Sequence, residues 1–311
     1  MPQAGYELHR LRMAPLPRGR GGRDLLPVAR AVAIDAGAVR DAGRLVRRLS
    51  PAAVLGGGGY VAGPVGLAAA LRRVPLVLTE MDSHLGLTNR LLAPMAKRVC
   101  LAFPVEGRGT VDGDRFLVTG RPVPAVAADR GAARERFGID PDELCVLVSG
   151  GSQGARSINE AALQAFAGSS FRVLHAAGER DLPSLRSPGP HYDLRGFIDG
   201  FGEALAASDL VVGRAGGSVF EIAAAGRPAV LIPYPHATAD HQTTNARYFE
   251  RAGAAVLLPD AELTGARLAQ EVGRLLADRA RLAAMARASA GLARPRAAEE
   301  IAAEVLRVVR R

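Results

Sequence analysis

Gly213–Ala246, GRAGGSVFEIAAAGRPAVLIPYPHATADHQTTNA, reads as a strand end, a glycine turn, a helix, a buried strand, a Pro-rich loop and a second helix. Polar groups stand only where the chain turns. Ser218 and Glu221 open the first helix; Gln242 and Asn245 open the second. A helix N-terminus carries unpaired N–H groups and a partial positive charge, so two of them around one crevice suit a diphosphate. Glu221 has two readings. It completes an S-x-x-E capping box with Ser218, or it accepts hydrogen bonds from ribose hydroxyls, as acidic residues do in other nucleotide sites.

The same alternation extends through the chain. Apolar runs at 52–57, 75–80, 98–103 and 116–120 precede a proline-bearing segment, RPVPAVA (121–127), and further runs follow at 144–150, 171–178, 210–213 and 228–234. Continuous apolar strands separated by helical segments indicate parallel sheets covered on both faces. The fold class expected is α/β, with two doubly wound Rossmann-like domains and a cleft between them. The expected domains are 1–124 and 125–311, hinged at the prolines, with helical pattern over 264–310. Ligands of such folds bind at the carboxyl ends of the strands.

The chain has 311 residues, 48% hydrophobic and 23% charged, which suits a globular protein of about two domains. No apolar run reaches about 18 residues, and no basic start leads into an apolar core, so neither a transmembrane helix nor a signal peptide is expected. Cys100 and Cys145 lie in strand-like runs and read as buried free thiols of a reducing compartment. The net charge of +9 is uneven. Residues 1–124 hold 18 Lys and Arg against 9 Asp and Glu, whereas the remainder balances at 22 of each. A basic half faces anionic lipid or nucleic acid; without interleaved aromatics or a reader motif, nucleic acid is not expected.

Within 28–49, Arg40, Arg44, Arg47 and Arg48 fall on one side at helical spacing, beside an apolar stripe of Val28, Val32, Val39, Val46 and Leu49. The stripe reads as an ordinary amphipathic helix packed on its own sheet. The arginines, with Arg18, Arg20 and Arg23, are candidates for contact with an anionic membrane surface.

SGGSQGARSIN (149–159) follows a strand and opens a helix, so its glycines allow close backbone approach to phosphate and Ser152 adds a hydroxyl. It lacks the G-K-[ST] of a P-loop. GGGGY (56–60) also ends a strand and precedes a helix, either a second anion cradle or a flexible turn. Asp112-Gly113-Asp114 mimics a D-x-D metal motif in a loop, where coincidence is the expectation, and no His/Cys/Asp cluster has metal-site spacing.

Taken together, the Gly213–Ala246 block, GGGGYVAGPVGLAAA (56–70), GLTNRLLA (86–93), GRPVP (120–124) and SGGSQGARSIN resemble, in order, the MurG family of membrane-associated GT-B glycosyltransferases. The resemblance covers nearly all of residues 5–310. It implies an inverting transfer of N-acetylglucosamine from UDP-GlcNAc to undecaprenyl-diphosphate-muramoyl pentapeptide (lipid I), giving lipid II for peptidoglycan synthesis. The enzyme would work peripherally at the cytoplasmic face of the cell membrane, without cofactor or metal, and its last helix would cross back to the first domain. Donor contacts implied by the resemblance fall on Asp82, Ser152, Gln153, Ile198, Gly217, Ser218, Val219, Phe220, Glu221 and Gln242. The acceptor diphosphate falls on Gly57, Gly58, Gly59 and Tyr60.

The chain departs from the family in four places. It opens at PQAGYELHRL, which in the family follows a first strand, a GGTGGH-type loop and a helix; a start codon placed too late is the expectation, with a divergent member as the alternative. TEMD (79–82) stands for HEQN, leaving Glu80 and Asp82 as the local candidates for the general base. GRPVP stands for GNPVR, so the hinge arginine is Pro124, with Arg121 available as a substitute cation. The AGGSVFE turn is one residue shorter than the usual form. These changes keep two rivals open: a GT-B transferase for another lipid or natural-product acceptor, and a non-catalytic UDP-sugar-binding relic.

Overall fold

The computed structural model describes residues 5–13, 25–104, 115–124, 129–151 and 153–310, with backbone alone over 25–35. The chain divides into two compact units, residues 1–119 with 299–311, and residues 120–298. The division after Thr119 lies five residues before the segment end at Pro124, and most of the last helix groups with the first unit.

The first unit carries α1 (Leu25–Leu49), β1 (Val54–Gly56), α2 (Gly59–Leu71), β2 (Leu76–Glu80), α3 (Leu87–Leu92), β3 (Arg98–Leu101) and β4 (Phe116–Val118). Its described strands form one parallel sheet in the order β1-β2-β3-β4. All five residues of β2 are buried, because both faces of the sheet are covered. Leu76 and Leu78 pack with Leu92, Val99 and Leu101 on one side. Val77 and Cys100 meet Ile301 on the other. In α1, Ala38, Ala42 and Val46 recur every four residues and are buried, the latter two against Ala68 of α2. Of the apolar stripe expected on this helix, Val46 packs on α2, Val39 is half-buried and Leu49 stays exposed; the side chains of Val28 and Val32 lie outside the described residues.

The second unit begins with α4 (Arg130–Arg136) and continues through β5 (Cys145–Ser149), α5 (Arg156–Ala165), β6 (Arg172–Ala176), β7 (Tyr192–Arg195), α6 (Phe201–Ala207), β8 (Leu210–Gly213), α7 (Val219–Ala224), β9 (Ala229–Leu231), α8 (His241–Arg251), β10 (Ala255–Leu257), α9 (Gly265–Ala277), α10 (Arg279–Gly291) and the start of α11 (Ala297–Val309). Its six described strands are all parallel, in the order β10-β9-β8-β5-β6-β7. Chain order reverses between β5 and β8, which makes their carboxyl ends the topological switch point where doubly wound sheets bind ligands. The two outermost strands, β7 (YDLR) and β10 (AVL), had no counterpart in the sequence reading: one is half polar and the other three residues long. Cys100 and Cys145 are both free and buried, and burial pushes their thiols up to about 11 and about 12.

Among the described residues, no helix is long and apolar enough to cross a membrane.

Candidate functional site

At the switch point the loop after β5 approaches the loop after β6 backbone to backbone. A Cβ on Gly154 would overlap the Ala177 carbonyl oxygen, and one on Gly178 would lie 2.7 Å from the Gly154 backbone. Only glycine permits this approach. A buried polar network lies beneath. The Asn159 side chain donates to the Ala177 carbonyl at 2.9 Å and to Asp181 at 3.1 Å. Asn159 Oδ1 and Tyr192 OH flank the two ring nitrogens of His175 at 3.0 Å and 2.7 Å. Donation from His175 Nε2–H to the amide oxygen, with Nδ1 accepting from the phenol, satisfies every member with a neutral ring. Desolvation lowers the His175 pKa to about 4 and pushes that of Tyr192 well up, which keeps both neutral. Gln153 is exposed on the turn, and Ser152 lies outside the described residues.

The neighbouring turn, between β8 and α7, bears on the capping reading of Glu221. Ser218 has helical backbone angles and makes no side-chain cap to α7, so no capping box forms. Glu221 is half-buried, and desolvation raises its pKa while the Arg121 guanidinium acts against that shift. Arg121 lies so close over Gly217 that a Cβ there would overlap its guanidinium. A carboxylate held out of water without a cap to explain it, beside an arginine over a bare turn, is a ready receptor for an anionic polyol. The side chains of Val219 and Phe220 are buried, Phe220 edge-on to Phe249 at 6.2 Å, so a ligand at this turn would meet their main-chain groups.

The start of α8 is tied to this turn. Gln242 Oε1 accepts from the Tyr234 N–H at 2.9 Å, and its Nε2 faces Gly216. Asn245 is fully buried and donates to the Ala215 carbonyl at 3.0 Å, a structural tie. Arg214 clamps the base of the crevice: it donates to the Pro233 carbonyl at 3.0 Å and to Ser157 Oγ at 2.9 Å, and it pairs with Asp260.

At the end of β7, Ile198 is 2% exposed, so its side chain belongs to the core and only its backbone is available. Its neighbour Phe197 is 57% exposed and was missed in the sequence. The signal was there, an aromatic beside a buried aliphatic where a strand ends.

In the first unit, Gly58 and Gly59 have φ of 76° and 72° and lead into α2, with Tyr60 partly exposed and Gly57 exposed. Thr79 Oγ1 donates to the Gly56 carbonyl at 3.2 Å. Glu80, expected as a candidate base, is instead filled by protein donors. One oxygen accepts from the Met81 and Asp82 N–H groups, and the other from the Gly86 N–H and Asn89 Nδ2. Four donors engage the lone pairs of this one carboxylate. Arg40, Arg44, Arg47 and Arg48 are exposed on α1; Arg44 pairs with Asp41 at 3.0 Å, and Arg48 lies 3.3 Å from His9. Asp112, Asp114, Arg18, Arg20 and Arg23 lie outside the described residues. Among the described residues, no group of three acidic, histidine or cysteine side chains could hold a metal ion.

Residues 145–301 match the glycosyltransferase family 28 C-terminal domain, and residues 1–101 match the glycosyltransferase family 28 N-terminal domain. The chain is 45% identical over 286 residues to the UDP-N-acetylglucosamine--N-acetylmuramyl-(pentapeptide) pyrophosphoryl-undecaprenol N-acetylglucosamine transferase of Moorella thermoacetica, covering 86% of this chain and 77% of that one. It is 40% identical to the protein of the same name from Rubrobacter xylanophilus, covering 98% and 90%. A crystal structure of Acinetobacter baumannii MurG superposes with a TM-score of 0.71 at 31% identity, covering 89% of this chain and 79% of that one. At 13% identity, a UDP-GlcNAc 2-epimerase from Neisseria meningitidis bound to UDP-GlcNAc shares the fold, with a TM-score of 0.65.

Proposed function

The chain belongs to glycosyltransferase family 28 and to its MurG branch, and from that premise we propose that it transfers N-acetylglucosamine from UDP-GlcNAc to lipid I. The observation that carries the donor half is the uncapped, desolvated Glu221 beside Arg121, at the switch point of the second unit. On this reading the Glu221 carboxylate accepts from the ribose hydroxyls. The diphosphate lies across the bare turns after β5 and β8, with Arg121 as the cation that the GRPVP segment lacks at Pro124. Phe197 offers a face to the base, and Gln242 meets the sugar.

Chemistry follows from charge. The acceptor 4-hydroxyl attacks the anomeric carbon in line, with inversion, as the bond to UDP breaks. Negative charge collects on the departing diphosphate, where oriented N–H groups and Arg121 stabilise it without reorganising. The acceptor diphosphate is assigned to Gly57–Tyr60, where two glycines of positive φ lead into α2. With Glu80 saturated, Asp82 is the carboxylate assigned to deprotonate the acceptor hydroxyl. The chain works peripherally at the cytoplasmic face of the membrane, the exposed α1 arginines contributing about 1 kcal/mol each near an anionic surface.

The test is turnover of UDP-GlcNAc with lipid I beside other polyprenyl-linked acceptors. Product with lipid I, and an intermediate that carries β-linked N-acetylglucosamine, is expected; turnover confined to another acceptor overturns the acceptor assignment. Flotation with vesicles checks the membrane assignment, with equal recovery on neutral and anionic lipid counting against it.

A further inference from the structure

Glu80 and Asn89 form a buried pair that no substrate role accounts for. Glu80 is 8% exposed and Asn89 1%. Asn89 Nδ2 spends both hydrogens inside the protein, on the Thr79 carbonyl at 2.9 Å and on Glu80 Oε2 at 3.0 Å. That fixes the orientation of the amide, since neither acceptor could face the amide oxygen. From this pair the hydrogen bonds run two ways. Glu80 gathers the N–H groups of Met81 at 3.0 Å, Asp82 at 3.4 Å and Gly86 at 2.8 Å, closing the 81–86 loop around one carboxylate. Asn89 lies beneath the other loop: a Cβ on Gly58 would stand 3.2 Å from its Nδ2, and Thr79, which it holds by the carbonyl, donates through its hydroxyl to Gly56.

We propose that Glu80 and Asn89 are positioning residues that lock the Gly56–Tyr60 turn and the Asp82 loop into one shape. The inference rests on the assignment of that turn to the acceptor diphosphate. It is distinct from a base role for Glu80, because the two roles predict different partners: a base acts alone, whereas a lock fails wherever it is cut.

In Glu80→Gln, whichever oxygen becomes an amine faces two donors, so the lock opens with little change in volume. In Asn89→Ala, the link between the loops is removed while the carboxylate keeps its charge and its three backbone donors. Both single variants are expected to raise KM for the lipid acceptor tenfold or more. The double variant should be no worse than either single, since residues of one unit are not additive. UDP affinity, measured by calorimetry, should stay within twofold of the parent, as Glu221 and Arg121, assigned to its ribose and diphosphate, belong to the other unit. Loss of kcat in Glu80→Gln at unchanged acceptor KM, with Asn89→Ala behaving as the parent, overturns the proposal in favour of the base.

A measurement on the unaltered chain guards against variants that do not fold. The amides of Met81, Asp82 and Gly86 should exchange at least tenfold more slowly than unbonded loop amides. Free-loop exchange at those three sites overturns the lock whether or not the chain turns over lipid I. Slow exchange with acceptor KM unmoved in both single variants overturns the positioning role while leaving the acceptor assignment standing.

Discussion

Replacing Glu221 by alanine separates a ligand-binding carboxylate from a structural one. The free protein already holds this group partly out of water, so ribose binding adds hydrogen bonds to a charged acceptor without a fresh desolvation cost on the protein side. Hydrogen bonds to an ionised group contribute about 1.5–3 kcal/mol. The prior desolvation places the expected loss toward the upper end, near 3 kcal/mol, or about 150-fold in Kd for UDP. Stability should move little, because no side-chain cap joins Ser218 to α7 and none can be lost. A capping role predicts the reverse, about 1 kcal/mol of lost stability and unchanged affinity. Calorimetric titration with UDP and denaturant unfolding of the same variant read both quantities. A Kd within twofold of the parent, with a lowered unfolding midpoint, would refute the ribose assignment.

Arg121→Gln should weaken UDP more than uridine, since the guanidinium over Gly217 is assigned to the diphosphate; equal losses in titration refute that assignment. Because burial raises the Glu221 pKa, UDP affinity should decline with acidification from a higher pH than an ordinary carboxylate would give, and Glu221→Gln should abolish that limb. Gly154→Ala forces apart the loops after β5 and β6 and is expected to cost at least tenfold in UDP affinity, read by the same titration. The His175 pKa is lowered to about 4 from 6.5 by burial, so the unfolded chain binds the extra proton first as pH falls. Stability is therefore full above about pH 6.5 and falls by about 3 kcal/mol toward pH 4, a slope that denaturant midpoints should lose in His175→Asn.

Much of the site was legible because its demands are local. Glycines at 154 and 217 stand where strands end, and the strand–turn–helix punctuation around them can be read from residue order alone. The capping ambiguity at Glu221 could not be resolved that way, since S-x-x-E spacing is the same whether or not the serine turns inward. Edge strands β7 and β10 escaped because one is half polar and the other three residues long, so their pattern fades into the loops.

Residue order by itself determined the alternation of buried strands and helices, the two phosphate-suited turns and the basic bias of the first half, because each depends on neighbours a few positions apart. Only the folded chain decided that Glu80 gathers four protein donors, that Val219, Phe220 and Ile198 turn their side chains inward, and that Arg121 lies over Gly217. Those facts depend on which groups from distant segments meet in space. A carboxylate's role is set by the donors that reach it, and no spacing along the chain counts them.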